Sequence, residues 1–326
     1  TFPVVYIIVD DASTDGEPDM LRRWAKDNLV SPSGVDLWKE MPYGQLCVAS
    51  LQGKPLATFA ILLLSENHYS SRKAKKPYLT EWLDNAKYHA MCEGDDYWIV
   101  PNKLQIQVDF LESNPEYGMC FTNFDLEDTI NRKYHKALFD SDKIHFPVVY
   151  DLETWIKSSY YSAPMTWVYK KELSEKRPDI KSTDGTFVSY AFYLYSGKVY
   201  CLKETTAVYR RIANSASNVL NPEKLFIREE GIYNAKLEMV KKFLPLERQD
   251  VVIDSIKRDY YDMCLKLFVA LGKYDRLDEA RDVLSGEKGM AKQILVNYPR
   301  NKYATRLFYF FYTKYTKLRK KILSKY

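Results

Sequence analysis

The chain of 326 residues lacks several patterns that mark common classes of protein. It has no apolar run near the roughly 20 residues that a membrane-spanning helix needs, and no signal peptide is visible. It has no Walker loop, no Rossmann glycine fingerprint and no nucleophile elbow. Its composition, 46% hydrophobic and 28% charged residues, is that of a globular protein rather than a disordered one. We therefore expect a folded, cytoplasmic protein.

Cysteine and histidine are too scattered to form a recognisable metal site. The five cysteines are odd in number and have no metal-ligand spacing, and the four histidines are isolated from one another. This usage of cysteine is typical of a reducing compartment.

Basic charge is concentrated at one end of the chain. Residues 288–326 contain 11 Lys and Arg and no Asp or Glu, although the whole chain carries a net charge of only +5. A nucleic-acid-binding protein would carry basic residues over its body as well, so we expect no nucleic-acid partner. Residues 300–326 combine basic with apolar side chains. They predict either peripheral contact with the inner face of the cell membrane or a helix packed on the protein.

Strand-like and helix-like segments alternate through the first two thirds of the sequence. Apolar runs at 2–9, 59–64 and 118–124 predict buried strands, and a polar segment with helical character follows the first run at 17–29. This alternation predicts an α/β fold with a mostly parallel sheet and helices on both faces. Residues 31–55 hold several Gly and Pro and predict an irregular segment.

The pattern becomes helical from Pro222 onward. We therefore predict a domain boundary near residue 220, with a ligand-binding α/β domain over 1–220 and a helical region over 221–326 that ends in the basic tail.

Two acidic clusters each follow a strand-like run. The first is Asp10 and Asp11 in VDDASTDG, and the second is Glu93, Asp95 and Asp96 in CEGDDYW. Carboxylates at the carboxyl ends of strands point into the crevice where open α/β sheets bind ligands. Clustered carboxylates repel one another unless a cation neutralises them, and hard oxygen ligands suit Mn²⁺ or Mg²⁺ together with substrate phosphates. The alternative is a solvated acidic turn that caps the next helix.

VDDASTDG, CEGDDYW and the following KLQIQVDFLESNPEYG together resemble the bacterial family 2 glycosyltransferases of the GT-A fold, over residues 1–217. The resemblance implies a Rossmann-like sheet and an inverting, metal-dependent transfer of a sugar. It implies that Asp10 and Asp11 contact the nucleoside of the donor. It also implies that Asp95 binds the metal and the donor diphosphate, with Glu93 or Asp96 assisting.

Two further sites follow from the resemblance. Asp184, in STDG before a helix, corresponds to the catalytic base that deprotonates the acceptor hydroxyl, although an Asp in this place is also an ordinary helix N-cap. Arg210 and Arg211 follow a predicted strand, where a guanidinium can pair with diphosphate oxygens. The alternative is a surface arginine pair. Similar enzymes often have a His just after this place, and this chain has none there.

The expected partners are a UDP- or GDP-sugar donor and a saccharide or lipid-linked saccharide acceptor, in the synthesis of bacterial surface polysaccharide. A sugar nucleotidyltransferase and a catalytically silent GT-A-like scaffold are the alternatives. Similar proteins have a strand and a helix before VDDASTDG, whereas this chain begins in the segment that corresponds to their second strand. Either the sequence is truncated or the sheet lacks that first strand.

Overall fold

The computed structural model describes residues 2–31, 36–138, 151–158, 162–212 and 221–284. The chain forms two compact units, residues 1–89 and residues 90–326. The basic tail, 300–326, lies outside the described residues, so both predictions for it stay predictions. No helix in the part of the chain that the structure describes is both long enough and apolar enough to cross a membrane.

The first unit is a mixed sheet with two short helices. Its elements are β1 (Val4–Asp10), α1 (Glu17–Asn28), β2 (Leu29–Val30), β3 (Trp38–Met41), β4 (Gly44–Leu51), β5 (Lys54–Leu64) and α2 (Thr80–Asn85). The strand order is β1-β5-β4-β2, with β3 paired to β4. Strand β1 runs parallel to β5, whereas β4 is antiparallel to β5, β2 and β3. Helix α1 buries Leu21 and Ala25, one helical turn apart, against Ile61 of β5.

The irregular segment predicted at 31–55 is wrong, since most of its described residues form β3, β4 and the start of β5. Its glycines are turn and contact residues of this antiparallel arrangement. Gly53 has a φ of +72° in the tight turn between β4 and β5, as a hairpin turn requires. A Cβ on Gly44 would lie 2.0 Å from the carbonyl oxygen of Leu63, so only glycine fits beside β5.

The second unit contains a second mixed sheet. Its strands are β7 (Tyr97–Trp98), β8 (Tyr117–Asp128), β9 (Lys133–His135), β10 (Val168–Lys170) and β11 (Lys198–Arg211), while β6 (Tyr88–Ala90) spans the division between the units. The order is β10-β8-β11-β7, with β9 paired to β8. Strands β8 and β11 are parallel, and β7, β9 and β10 pair antiparallel with their neighbours.

The helices of the second unit surround its main core. They are α3 (Lys103–Ser113), α4 (Leu152–Ser158), α5 (Lys171–Glu175), α6 (Gly185–Ser196), α7 (Pro222–Phe243), α8 (Leu246–Leu271) and α9 (Tyr274–Val283). The α/β class and the C-terminal helical region are therefore as predicted. The mostly parallel sheet is not, because in both sheets the antiparallel pairs of described strands outnumber the parallel ones.

The division between the compact units falls after His89 rather than near residue 220. The reason lies in the packing of α7 and α8. Met239 of α7 and Val252 of α8 are fully buried in the same cluster as Tyr190 of α6 and Met119 of β8. Since one core joins the sheet to these helices, residues 221–284 do not form a separate unit.

Candidate functional site

The first acidic pair lies at the carboxyl end of β1. Asp10 is its last residue and is 3% exposed. Its Oδ1 accepts a hydrogen bond of 3.2 Å from the Ser13 N–H. Its Oδ2 is buried and has no hydrogen-bond partner among the described residues. A buried carboxylate oxygen without a partner is unfavourable, so Asp10 retains an open acceptor position.

The neighbouring Asp11 is occupied by contacts within its own unit. Its carboxylate accepts backbone hydrogen bonds from His68, at 2.8 Å, and Tyr69, at 3.0 Å. Lys75 adds an ion pair of 2.9 Å. Partial burial acts to raise the pKa of Asp11, but the bonds from Lys75, His68 and Tyr69 outweigh it and hold the pKa below its usual value. Asp11 thus organises the loop after β5.

The second acidic cluster forms a tight turn between β6 and β7, in which the Asp96 N–H donates to the carbonyl of Glu93 at 3.1 Å. Asp96 is 8% exposed. Its Oδ1 accepts from the Arg210 backbone N–H at 2.9 Å, and its Oδ2 is buried without a partner in the described part of the chain. Burial, with a further contribution from Asp95, raises the pKa of Asp96 to about 6 despite the Arg210 hydrogen bond.

Glu93 carries the strongest sign of crowded negative charge. Desolvation of its carboxyl group and repulsion from Asp96, Asp95 and Asp184 raise its pKa to about 7. Glu93 is an exposed residue, so we give more weight to the repulsion from the three other carboxylates than to burial. This repulsion is what a bound cation would relieve. The tertiary structure therefore brings Asp184 into the electrostatic neighbourhood of the acidic turn.

Asp184 is the N-cap of α6. Its Oδ1 accepts from the Phe187 N–H at 3.0 Å, so the helix-cap prediction is confirmed. Its Oδ2 contacts the Arg228 guanidinium of α7 at 3.4 Å, and the side chain remains 28% exposed. A second oxygen that is only loosely held leaves Asp184 able to accept another hydrogen bond.

The predicted donor-binding arginines lie at the end of β11, where both are paired with carboxylates of β8. Arg210 donates to Glu127 at 3.1 Å and lies 5.3 Å from the centre of the Tyr97 ring. Arg211 lies 3.6 Å from Asp128. Both arginines are more than 40% exposed, so these pairs are weak and can be exchanged for a stronger anion.

Sequence reasoning missed a buried polar network behind the acidic turn. Lys103 is 1% exposed, donates to Gln107 at 2.6 Å and lies 4.5 Å from the centre of the Trp98 ring. Trp98 in turn donates to the carbonyl of Met165 at 2.8 Å. Burial lowers the pKa of Lys103 to about 8. The spacing of Lys103 and Gln107, one helical turn apart, was the available signal, and the network fixes β7 directly after the turn.

The residues of the acidic turn fit a divalent cation only together with a ligand. Within the described ranges, no group of three or more His, Cys, Asp or Glu side chains is arranged to hold a metal ion. The turn does supply an unpartnered oxygen on Asp96 and mutually repelling carboxylates. Mg²⁺ and similar cations are commonly held by one or two carboxylates plus substrate phosphates, which is the number this site offers.

Comparisons with known proteins give relatives but no activity. No family model matches the chain. Three curated relatives are 27% identical over 221 residues, which is 65% of this chain and 51% of each relative. They are the uncharacterized proteins Rv1520 and MT1570 of Mycobacterium tuberculosis and Mb1547 of Mycobacterium bovis. The chain thus spans about half the length of the curated relatives it matches.

Proposed function

We propose that this chain is a metal-dependent, inverting glycosyltransferase of the GT-A type, which moves a sugar from a nucleoside-diphosphate sugar to an acceptor hydroxyl. The observation that carries the proposal is the grouping of Glu93, Asp95 and Asp96 with Asp184. The first three belong to one turn, and the fourth comes from a helix cap far along the chain. Repulsion between grouped carboxylates destabilises the folded state, and such groupings are typical of functional sites.

The carboxylates divide into two roles. Asp95, assisted by Glu93 or Asp96, would hold Mn²⁺ or Mg²⁺, which when bound neutralises the charge of a nucleoside-diphosphate leaving group. Asp96 also accepts from the backbone of Arg210 and so fixes the end of β11 beside the turn. Arg210 and Arg211 are themselves exposed, so we propose that they exchange their carboxylate partners for diphosphate oxygens.

Asp184 is proposed as the general base. Its Oδ1 is fixed by the helix cap, so the carboxylate keeps one orientation, while Oδ2 faces the weaker contact with Arg228. It would take the proton of the acceptor hydroxyl as that oxygen attacks the anomeric carbon from the side opposite the leaving group. Inversion at the anomeric carbon follows from a single displacement.

The contacts of Asp10 and Asp11 differ in how well they suit binding of the donor nucleoside. Asp10 has an open buried oxygen, whereas Asp11 is bound by its own loop. We therefore assign nucleoside contact to Asp10 first. A UDP- or GDP-sugar donor, a saccharide or lipid-linked saccharide acceptor and a place in surface polysaccharide synthesis are carried over from the resemblance.

The test is calorimetric titration with UDP and GDP and with the corresponding sugar nucleotides, in Mn²⁺ and in EDTA. We expect nucleotide binding that requires Mn²⁺ and that Asp95→Asn weakens by at least roughly tenfold, as loss of a charged ligand should. Asp109→Asn, on the exposed face of α3, is the matched control and should bind as the wild type does. Metal-independent binding, or no binding to the full-length protein, would remove the proposal in favour of a silent scaffold.

A further inference from the structure

A cavity of about 440 Å³ lies in the second unit, beside Asp184. Its walls come from α4, from the start of α6 and from the facing sides of α7 and α8. Trp155, Phe187 and Tyr233 supply aromatic surface, and Tyr233 stacks on Tyr260 with ring centres 4.1 Å apart. Small-molecule sites are typically concave, largely apolar and furnished with a few polar groups, which is the character of this cavity.

The unusual polar group of the cavity is Lys236 of α7. The residue is only 9% exposed. Its ammonium donates one long hydrogen bond, of 3.3 Å, to the carbonyl of Lys157 and lies 5.6 Å from the centre of the Phe187 ring. Burial lowers its pKa to about 8, even though Asp259 and Glu229 act in the opposite direction. Its three donors are therefore poorly satisfied.

The other charged groups of the cavity already have partners or face water. Lys157 pairs with Glu153 at 2.7 Å. Arg228 bridges Glu229, at 2.8 Å, and Asp184. Asp259 is exposed. Among the described residues no carboxylate lies within ion-pair distance of Lys236, so its ammonium is the charge that the cavity leaves without a counter-ion.

A buried ammonium without a counter-ion destabilises a folded protein, and a methionine of similar length would avoid that cost. A ligand that brings a negative charge into the cavity would supply the missing partner. The same ligand would lie beside Asp184, because Asp184 lines the cavity on one side and interacts with Glu93 of the acidic turn on the other.

We infer that this cavity binds the acceptor, and that the acceptor carries a carboxylate or phosphate group which Lys236 contacts. That the ligand is the acceptor rests on the proposed function. That the ligand is anionic rests on the cavity alone. The aromatic walls would face the sugar ring. The negative charge has two possible sources, the carboxylate of an acidic sugar or the phosphate of a phosphorylated or lipid-linked saccharide.

Saturation-transfer NMR and calorimetry with three probes test the inference: D-glucuronate, glucose 6-phosphate and neutral methyl glucoside. We expect the two anionic probes to bind and the neutral one to bind at least roughly tenfold more weakly. The stronger anionic probe identifies the source of the charge. Lys236→Met should weaken anion binding by roughly tenfold to a hundredfold, and Lys236→Arg should retain part of it.

Lys241→Met is the matched control, because it lies on an exposed part of the same helix and should leave binding unchanged. Thermal unfolding separates binding from folding, since Lys236→Met is expected to raise the melting temperature. Equal binding of neutral and anionic probes would overturn the inference. So would anion binding that Lys236→Met leaves intact, or the absence of any probe binding.

The nucleotide titration distinguishes this inference from the function on which it draws. Anion binding at Lys236 without Mn²⁺-dependent nucleotide binding would contradict the proposed glycosyltransferase function but support the anionic site. Nucleotide binding without anion binding would contradict the anionic site and support the proposed function.

Discussion

At the scale of single residues, the two members of the first acidic pair differ in how many hydrogen-bond partners surround them. Asp10 has a buried oxygen without a partner, whereas Asp11 accepts from two backbone N–H groups and from Lys75. From the sequence the two aspartates are equivalent neighbours. The difference between them depends on the loop after β5, because His68 and Tyr69, which bind Asp11, lie more than 50 residues further along the chain.

Asp11 gives a prediction of pH dependence. Because its folded pKa is lowered, the stability it contributes is present above the ordinary carboxylate range and is lost as the pH falls below about 4. Asp11→Asn should lower the free energy of unfolding by about 1–3 kcal/mol near neutral pH, from lost charged hydrogen bonds. The difference from wild type should shrink progressively as the pH falls from about 4 toward about 3.

Equilibrium denaturation between about pH 7 and about pH 3 measures this difference. Asp27→Asn, an exposed change on α1, is the control and should show no such trend. A destabilisation by Asp11→Asn that stays constant across the range would show that the carboxylate charge is not what the loop uses.

At the scale of elements, the N-cap of α6 serves both folding and the proposed chemistry. Asp184 satisfies an N–H that helix geometry leaves without a partner, and this fixes the carboxylate beside the acidic turn. The two roles can be separated because Asn is as good an N-cap as Asp but is no base.

Asp184→Asn should therefore change the free energy of unfolding by less than about 0.5 kcal/mol and abolish sugar transfer, whereas Asp184→Ala should also cost about 1 kcal/mol. Asn221 caps α7 with the same geometry, through a 3.0 Å hydrogen bond from the Lys224 N–H. Asn221→Ala is thus the matched control, expected to lose similar stability and keep transfer. Undiminished transfer by Asp184→Asn, assayed beside denaturation, would remove Asp184 from the mechanism.

At the scale of the whole molecule, the helical region belongs to the core of the second unit. Met239 and Val252 are fully buried against residues of α6 and β8. The change to helical periodicity at Pro222 marks a change of secondary structure, and we predicted a domain boundary from it. Periodicity reports which face of a helix is buried but not which partner buries it.

Met239→Ala should lower the free energy of unfolding by about 2–5 kcal/mol, because it leaves a cavity in this shared core. Lys241→Ala, exposed two residues away, should stay within about 0.5 kcal/mol of wild type. Denaturation followed by circular dichroism should show Met239→Ala shifting the unfolding of sheet and helices together. A shift confined to a separate helical transition would restore the boundary near residue 220.

Part of the fold and of the site could be predicted because it depends on residues near one another in sequence. The ends of β1 and α1, the helix after Asp184 and the acidic turns follow from apolar runs, capping residues and turn residues. The resemblance, rather than spacing, is the source of the catalytic role that we propose for Asp184. The prediction of an irregular segment at 31–55 was wrong because glycines break helices but also form the turns and close contacts of antiparallel strands.

The sequence by itself determined the class of the fold, the acidic turns at 10–11 and 93–96, and the helix cap at Asp184. Only the tertiary structure decided the directions of the paired strands, the approach of Asp184 to Glu93 and the burial of Lys236. The physical reason is range. Helix and turn preferences act over about four residues, whereas strand pairing and burial join positions far apart, and no local pattern records which distant partner wins.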